Sequence, residues 1–466
     1  MKPDHSESDV NVSCRRRAWQ AANVGAAARD ILERDAASFL HQAVSTPCLS
    51  VVRKAEGIWL EDVDGRRYMD FHGNNVHHIG YGHPRLKEAI KRQLDDLSFA
   101  PRRFTCEPAV ELAEKLAAIA PGSLCKTLFT TGGSDAIEVA LKIARAVTGR
   151  FKTVSFWDSF HGAGFGASSV GGEQLFRSGP TGPLLPGTEH VAPFACYRCP
   201  YGYPDTEGRP MLDLCRVTCA NFVRYVLEKE GDVAAVIAEP LRSVPNLPPP
   251  GFWREVRDAC DVHGALLVFD EIPTGLGKTG RMFACEHDGV VPDILVLGKA
   301  LGGGVLPIAA VVCRPELDVG ASWAFGHYTH EKNPVTTRAA LTTIRIIEDE
   351  GLVENAARVG AAAMARLDEM KRRHPLIGDV RGRGPVIGIE LVRDRESKRP
   401  ANEAAEAVLY RALTRQLSFK TTMGNVLTLT PPLTIAAEEM ELALGILEEC
   451  IADVERDELG AHGKHA

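Results

Sequence analysis

Val268-Phe269-Asp270-Glu271-Ile272 is followed, 29 positions after Asp270, by Lys299 in Val296-Leu297-Gly298-Lys299-Ala300-Leu301-Gly302-Gly303-Gly304. Each half closes an apolar run of strand length, Ala265-Leu266-Leu267-Val268-Phe269 and Asp293-Ile294-Leu295-Val296-Leu297. Runs of this kind read as buried strands. In an open α/β sheet, ligands sit at the strand ends. Two buried strands that deliver a carboxylate and an amine there suggest one site with a charge at each end. Taken alone, the pair favours a structural ion pair, or a solvated lysine ahead of a glycine loop; the surrounding motifs reverse that balance.

Pyridoxal phosphate requires this pairing: an amine to bind its aldehyde covalently and an acid to keep its ring nitrogen protonated. Its phosphate needs a third element. Thr130-Thr131-Gly132-Gly133-Ser134-Asp135-Ala136 links the apolar run Lys126-Thr127-Leu128-Phe129-Thr130 to a segment with apolar residues at Ile137, Ala140, Leu141, Ala144 and Val147, a helical period. Glycines ahead of a helix expose backbone N–H groups, and the helix dipole favours an anion there. Ser134 suits either a phosphate contact or a plain N-cap. Phe160-His161-Gly162 follows the strand-like Thr153-Val154-Ser155-Phe156, and an aromatic at a strand exit either stacks on a planar ligand or packs in the core.

The chain has 466 residues, which favours two domains over one. Its 54 basic and 61 acidic residues give a net charge of −7, so nothing in the charge favours nucleic acid or an anionic membrane. No apolar run approaches the roughly 20 residues that span a bilayer, and the polar residues 1–17 lack the apolar core of a signal peptide. A cytoplasmic location is expected. Twelve cysteines are too sparse for a disulfide scaffold. Cys196, Cys199, Cys215 and Cys219 approach a zinc-ribbon spacing, but the second pair has three intervening residues and falls on an expected helix over 212–229. Reduced thiols packed in a loop are expected there, and no metal.

From about 96 to 345, strands alternate with helices, which implies a mainly parallel sheet flanked by helices. Runs at 126–130, 233–238 and 306–312 extend the series begun by the two opening strands. Helices are expected over 18–42, from Ser134, over 252–263 and over 436–454, and an antiparallel meander over 50–71 turns at Asp64-Gly65. The expected division is a disordered tail at 1–15, a large domain at 96–345, and a smaller α+β domain built from 16–95 with 346–466.

The chain resembles the class III aminotransferases, within the fold-type I pyridoxal-phosphate enzymes, over about residues 40–455. The motifs that carry the resemblance are Gly133-Ser134-Asp135-Ala136, Phe160-His161-Gly162, Glu239-Pro240, Asp270-Glu271-Ile272, Gly298-Lys299, and Thr329 with Asn333-Pro334. The resemblance implies that Lys299 carries the cofactor and Asp270 pairs with its ring nitrogen. It also implies that Gly133 and Ser134 bind the phosphate, that Phe160 and Ile272 sandwich the ring, and that His161 and Glu239 complete the cofactor site. The threonine matching Thr329 reaches the phosphate of the neighbouring subunit's cofactor in this family, so a homodimer with shared sites is implied.

Departures from the family pattern bear on the reaction. Many members that act on α-amino acids carry an arginine where Val426-Leu427-Thr428-Leu429-Thr430-Pro431-Pro432 has Thr428, so a bidentate carboxylate contact is missing. Pro273 replaces a glutamine, and the polar stretch Gly326-His327-Tyr328-Thr329-His330-Glu331-Lys332 replaces small residues. Segments matching pocket walls in relatives contribute Asn74, His77, Arg102 and Arg103. Two arginines at such a wall suit a phosphonate or phosphate, although solvated surface charge is the plainer reading of both. With His327 and Tyr328 these form the expected substrate contacts. The segments around Asn74, Tyr201 and His327 resemble a branch of ammonia-lyases that act on (R)-1-hydroxy-2-aminoethylphosphonate, releasing phosphonoacetaldehyde and ammonia. The competing expectations are a transaminase using a keto acid and a lyase for a phosphorylated amino alcohol. Retention of Lys299 and Asp270 disfavours a non-enzymatic binding protein.

Overall fold

The structure is a computed structural model that describes residues 13–462 apart from 43, 45, 47 and 207. Most of the expected tail at 1–15 lies outside the described residues. Cys14 and Arg15, however, already belong to a helix, Cys14–Asn23, capped by Ser13, whose side chain accepts from the Arg16 N–H. A serine cap satisfies one of the orphan N–H groups of a helix start, and Trp19 is buried on this helix, so residues 14 and 15 are helical where a tail is expected.

The chain forms two compact units. The smaller takes in residues up to Gly73, Gly80–Gly82 and those from Ala356, and the larger takes in Asn74–Ile79 and His83–Asn355. The helix Pro84–Asp96, which the sequence places with the smaller domain, packs on the helix Pro334–Asp349 of the larger unit and groups with it.

The larger unit is built on seven strands: β1 (Lys126–Thr130), β2 (Lys152–Phe156), β3 (Thr188–Val191), β4 (Val233–Ala238), β5 (Leu266–Asp270), β6 (Ile294–Leu297) and β7 (Ala309–Cys313). Their order across the sheet is β1-β7-β6-β5-β4-β2-β3. Strands β6, β5, β4, β2 and β3 run parallel, whereas β7 is antiparallel to both β6 and β1. The run 306–312 thus forms a strand, but one that starts at Ala309 and points the other way. A parallel return needs a crossover of a dozen or more residues, usually a helix. Only residues 298–308 separate β6 from β7, and they hold a short 3₁₀ turn instead.

Helix α1 (Gly133–Thr148) covers one face of this sheet. Ala136, Ile137, Ala140, Leu141 and Ala144 form one buried cluster with Val268, Ile294, Val296, Ala309 and Val311. The helical period read from the sequence is thus the face that packs over the strands bearing Asp270 and Lys299. The helix expected over 212–229 is broken: Leu212–Cys215 and Thr218–Glu230 are separated by Arg216 and Val217, whose φ angles of 44° and 53° leave the helical region.

In the smaller unit, Val52–Glu56, Trp59–Asp62 and Arg67–Asp70 form the expected antiparallel meander, joined in parallel by Leu417–Ser418. A second sheet carries Ile377–Arg383, Val386–Asp394, Val426–Leu429 and Lys420–Thr422. Among the described residues no helix is long and apolar enough to cross a membrane.

Candidate active site

The parallel register explains how residues distant in sequence meet. Asp270 ends β5 opposite Val296 of β6, and the Glu271 N–H donates to the Val296 carbonyl over 2.9 Å. Three residues beyond Val296 the chain reaches Lys299, so the carboxylate and the amine leave neighbouring strands at the same sheet edge. Asp270 is 1% exposed. Its Oδ2 lies 2.7 Å from His161 Nδ1, and its Oδ1 accepts the Ile272 N–H over 3.1 Å. The His161 ring is buried, and its Nε2 has no hydrogen-bond partner among the described residues. A carboxylate and an imidazole held in this way at the end of a buried strand form a rigid pair.

Lys299 has φ +44°. A non-glycine residue in the left-handed region carries backbone strain, which clusters at functional sites. Gly298 precedes it, and Gly303 and Gly304 follow in the left-handed region. A side chain on Gly298 would meet Ile272 at 3.3 Å, and one on Gly133 would meet the same residue at 2.8 Å. Ile272 therefore lies close to both the Gly132-Gly133 turn and the lysine loop.

The start of helix α1 excludes the N-cap reading of Ser134. Its N-cap is Gly132, and no side chain of the described residues caps it. Ser134 Oγ instead accepts the Ala163 N–H over 3.0 Å, tying the helix start to the Phe160-His161-Gly162 loop. The first-turn N–H groups are left for an anion. Gly162 has φ +134°, and a Cβ there would fall 2.5 Å from Ser134 Oγ. Gly162→Ala is therefore expected to displace Ser134 and speed cofactor loss on dialysis by about tenfold, the scale of 1–3 kcal/mol for overpacking. Retention equal to that of the parent would show that this contact does not shape the site.

Phe160 packs on Phe176, with ring centroids 4.5 Å apart. Glu239 is buried, and its Oε2 accepts the Ser243 N–H over 2.8 Å. Glu271, beside Asp270, accepts from the Ala284 and Cys285 N–H groups, and burial pushes its carboxyl up to about 7. It is a structural acid directed away from the neighbouring pair.

The expected substrate contacts are arranged differently from one another. Asn74 is exposed with φ 46°, and His77 is fully buried. The adjacent His78 places Nε2 3.2 Å from the Gly275 carbonyl. Burial, with the charges of Lys278 and Lys299 nearby, pushes His78 well below its ordinary value and keeps it neutral. Nothing in the sequence distinguishes these two neighbouring histidines. Arg102 is already engaged: its guanidinium contacts His327 Nε2, donates to the Tyr328 carbonyl over 2.7 Å and pairs with Glu331 at 3.3 Å. A substrate anion there would compete with Glu331. Arg103 and Thr329 are exposed. Asn333 caps the helix Pro334–Asp349 through its side-chain oxygen, with Pro334 in the first turn, so this part of the motif is a helix start.

In the smaller unit, Thr428 is buried and its hydroxyl meets that of Thr422 at 2.8 Å, so no cation stands at this position. Cys196, Cys199, Cys215 and Cys219 line one small cavity of about 30 Å³ with Tyr201, Tyr203 and Met211. No three His, Cys, Asp or Glu side chains among the described residues are gathered to hold a metal ion, and burial pushes the Cys219 thiol up to about 12.

These residues fit pyridoxal phosphate. A buried carboxylate ends the strand beside the lysine loop, glycines at 133 and 162 allow close approaches that a Cβ would block, and a helix start offers N–H groups to a phosphate. The fold and the site define a pyridoxal-phosphate enzyme of fold type I. The aminotransferase class-III family model matches residues 41–451, and the chain belongs to that family. It is 45% identical to the (R)-1-hydroxy-2-aminoethylphosphonate ammonia-lyase of Vibrio splendidus, over 98% of this chain and 97% of that protein. It is 39% identical to a leucine/methionine racemase of Thermococcus litoralis, over 92% and 97%. Among solved structures, an aminotransferase of Bacillus anthracis superposes with a TM-score of 0.83 at 32% identity, covering 91% of this chain and 98% of that one. A PLP-bound amine transaminase from an uncultivated Pseudomonas species gives 0.83 at 30%, covering 90% and 99%.

Proposed function

We propose that this enzyme converts (R)-1-hydroxy-2-aminoethylphosphonate to phosphonoacetaldehyde and ammonia, a step of phosphonate breakdown. The observation that carries the reading is the 45% identity with an enzyme of that activity, held over nearly the whole of both chains. Thr428 supports it, because its hydroxyl is engaged by Thr422 and offers no clamp for an α-carboxylate.

When bound, pyridoxal phosphate withdraws electrons from the amine-bearing carbon. Lys299 takes the proton from that carbon as general base. The proton it then holds goes to the neighbouring hydroxyl, which leaves as water. Uptake of one water on hydrolysis releases ammonia and the aldehyde, so the net loss from the substrate is ammonia alone. Asp270, fixed by His161, would keep the ring nitrogen protonated. Gly133 and Ser134 would hold the phosphate, and Phe160 and Ile272 would lie against the ring. The enzyme acts in the cytoplasm as a homodimer, with Thr329 reaching the neighbouring subunit's cofactor phosphate.

A transaminase begins with the same proton removal, and the likeness to amine transaminase structures keeps that reading as the rival. The purified holoenzyme is expected to release ammonia and phosphonoacetaldehyde in equal amounts with no keto acid present. Turnover that depends strictly on an added keto acid would establish transamination in its place.

A further inference from the structure

The loop after β4 holds a cation that the described residues leave largely uncompensated. Arg242 is 3% exposed, and Nη2 of its guanidinium donates to the Asp158 carbonyl. Its Nε and Nη1 are enclosed and have no hydrogen-bond partner among the described residues, and no carboxylate among them pairs with it. Asn246, 5% exposed, likewise has its Nδ2 without a partner. The two residues form an antiparallel bridge around the turn 243–245, with the Arg242 N–H donating to the Asn246 carbonyl over 3.3 Å. Residues paired in this way project their side chains to the same side.

A buried guanidinium without a counter-charge is among the costliest arrangements in a folded chain. The Asp158 carbonyl uses one nitrogen and neutralises no charge. The remaining donors of Arg242, with the Asn246 amide beside them, match the oxygens of a tetrahedral or planar anion. Their position is the sheet edge that carries the site. Arg242 lies four residues beyond Ala238, the end of β4, and β4 pairs with the strand that ends in Asp270. The carbonyl it holds belongs to Asp158, two residues before Phe160.

We propose that Arg242 and Asn246 recognise the acidic group of the substrate, the phosphonate if the reading above is right. Arg102, engaged by the 327–331 loop, does not take this role. The inference rests on that reading for the identity of the anion but not for the existence of the anion site.

The test uses the holoenzyme and methylphosphonate, a probe that cannot react. Arg242→Gln is expected to raise the dissociation constant for methylphosphonate, and KM for the amino-phosphonate, by about 30- to 100-fold, the scale of a lost charge-assisted contact to a buried group. The cofactor spectrum should stay unchanged. Arg242→Lys should recover part of the loss, and Asn246→Ala should give a smaller shift of the same kind without the risk to folding. Methylphosphonate binding equal to the parent's in both Arg242→Gln and Asn246→Ala would overturn the proposal. A change confined to melting temperature would also overturn it, by showing that Arg242 serves only to brace Asp158. If the parent makes no ammonia from the amino-phosphonate, yet binds methylphosphonate or acetate in a manner that depends on Arg242, the lyase reading fails while the anion site stands.

Discussion

Lys299→Ala is expected to lower turnover by about 10³-fold or more, because positioned acid–base groups contribute about 10² to 10⁴ and the proposed mechanism also makes this lysine the covalent anchor of the cofactor. The substitution removes the amine from a backbone already held at φ +44°. Alanine keeps the residue small but does not relieve the left-handed strain, so the loop geometry is expected to survive. The measurement is single-turnover release of ammonia, together with the cofactor absorbance of the dialysed protein. Rescue by a small exogenous amine would mark the loss as chemical. Turnover within tenfold of the parent would remove Lys299 from the proton-transfer role.

Asp270→Asn is the second large effect, expected at about 10² to 10⁴ in kcat, the range seen when a buried acid that fixes a neighbouring group is neutralised. The carboxylate accepts from the Ile272 N–H and meets His161 Nδ1 at 2.7 Å. An amide of the same shape keeps one oxygen for Ile272 but turns an N–H₂ toward either the ring nitrogen or the imidazole. With no negative charge beneath it, the ring nitrogen loses the reason to stay protonated. The loss should fall on kcat, with KM for the amine nearly unchanged. A drop confined to KM would assign Asp270 to substrate binding instead.

Much of this site can be read along the chain because its parts lie at strand ends, and strand ends are marked by the change from apolar runs to glycine and polar residues. The phosphate loop, the Asp270 strand and the Lys299 loop all carry that mark. The direction of β7 carries no such mark: the apolar run at 306–312 looks the same in either orientation, and only the short connection from β6 decides it. The pairing of Arg102 is hidden for a different reason. Its partners are more than 200 positions away, and a long-range ion pair leaves no local pattern. Arg242 carries no mark either, although it closely follows Glu239-Pro240, because an arginine in a loop reads as surface charge until its burial is known. The break at Arg216 and Val217 lies within a segment that is otherwise helical in composition, so propensity alone gave the wrong continuity.

The reversal of β7 has a mechanical consequence. The segment bearing Lys299 is tethered at both feet to adjacent inner strands of a seven-stranded sheet. Such a segment resembles a bridge deck fixed at both abutments more than a gate on a hinge. In the proposed reaction the amine lets go of one atom, collects a proton and delivers it elsewhere, all from a segment fixed at both ends. That travel therefore belongs to the four methylenes of the lysine side chain, a lever whose pivot stays still.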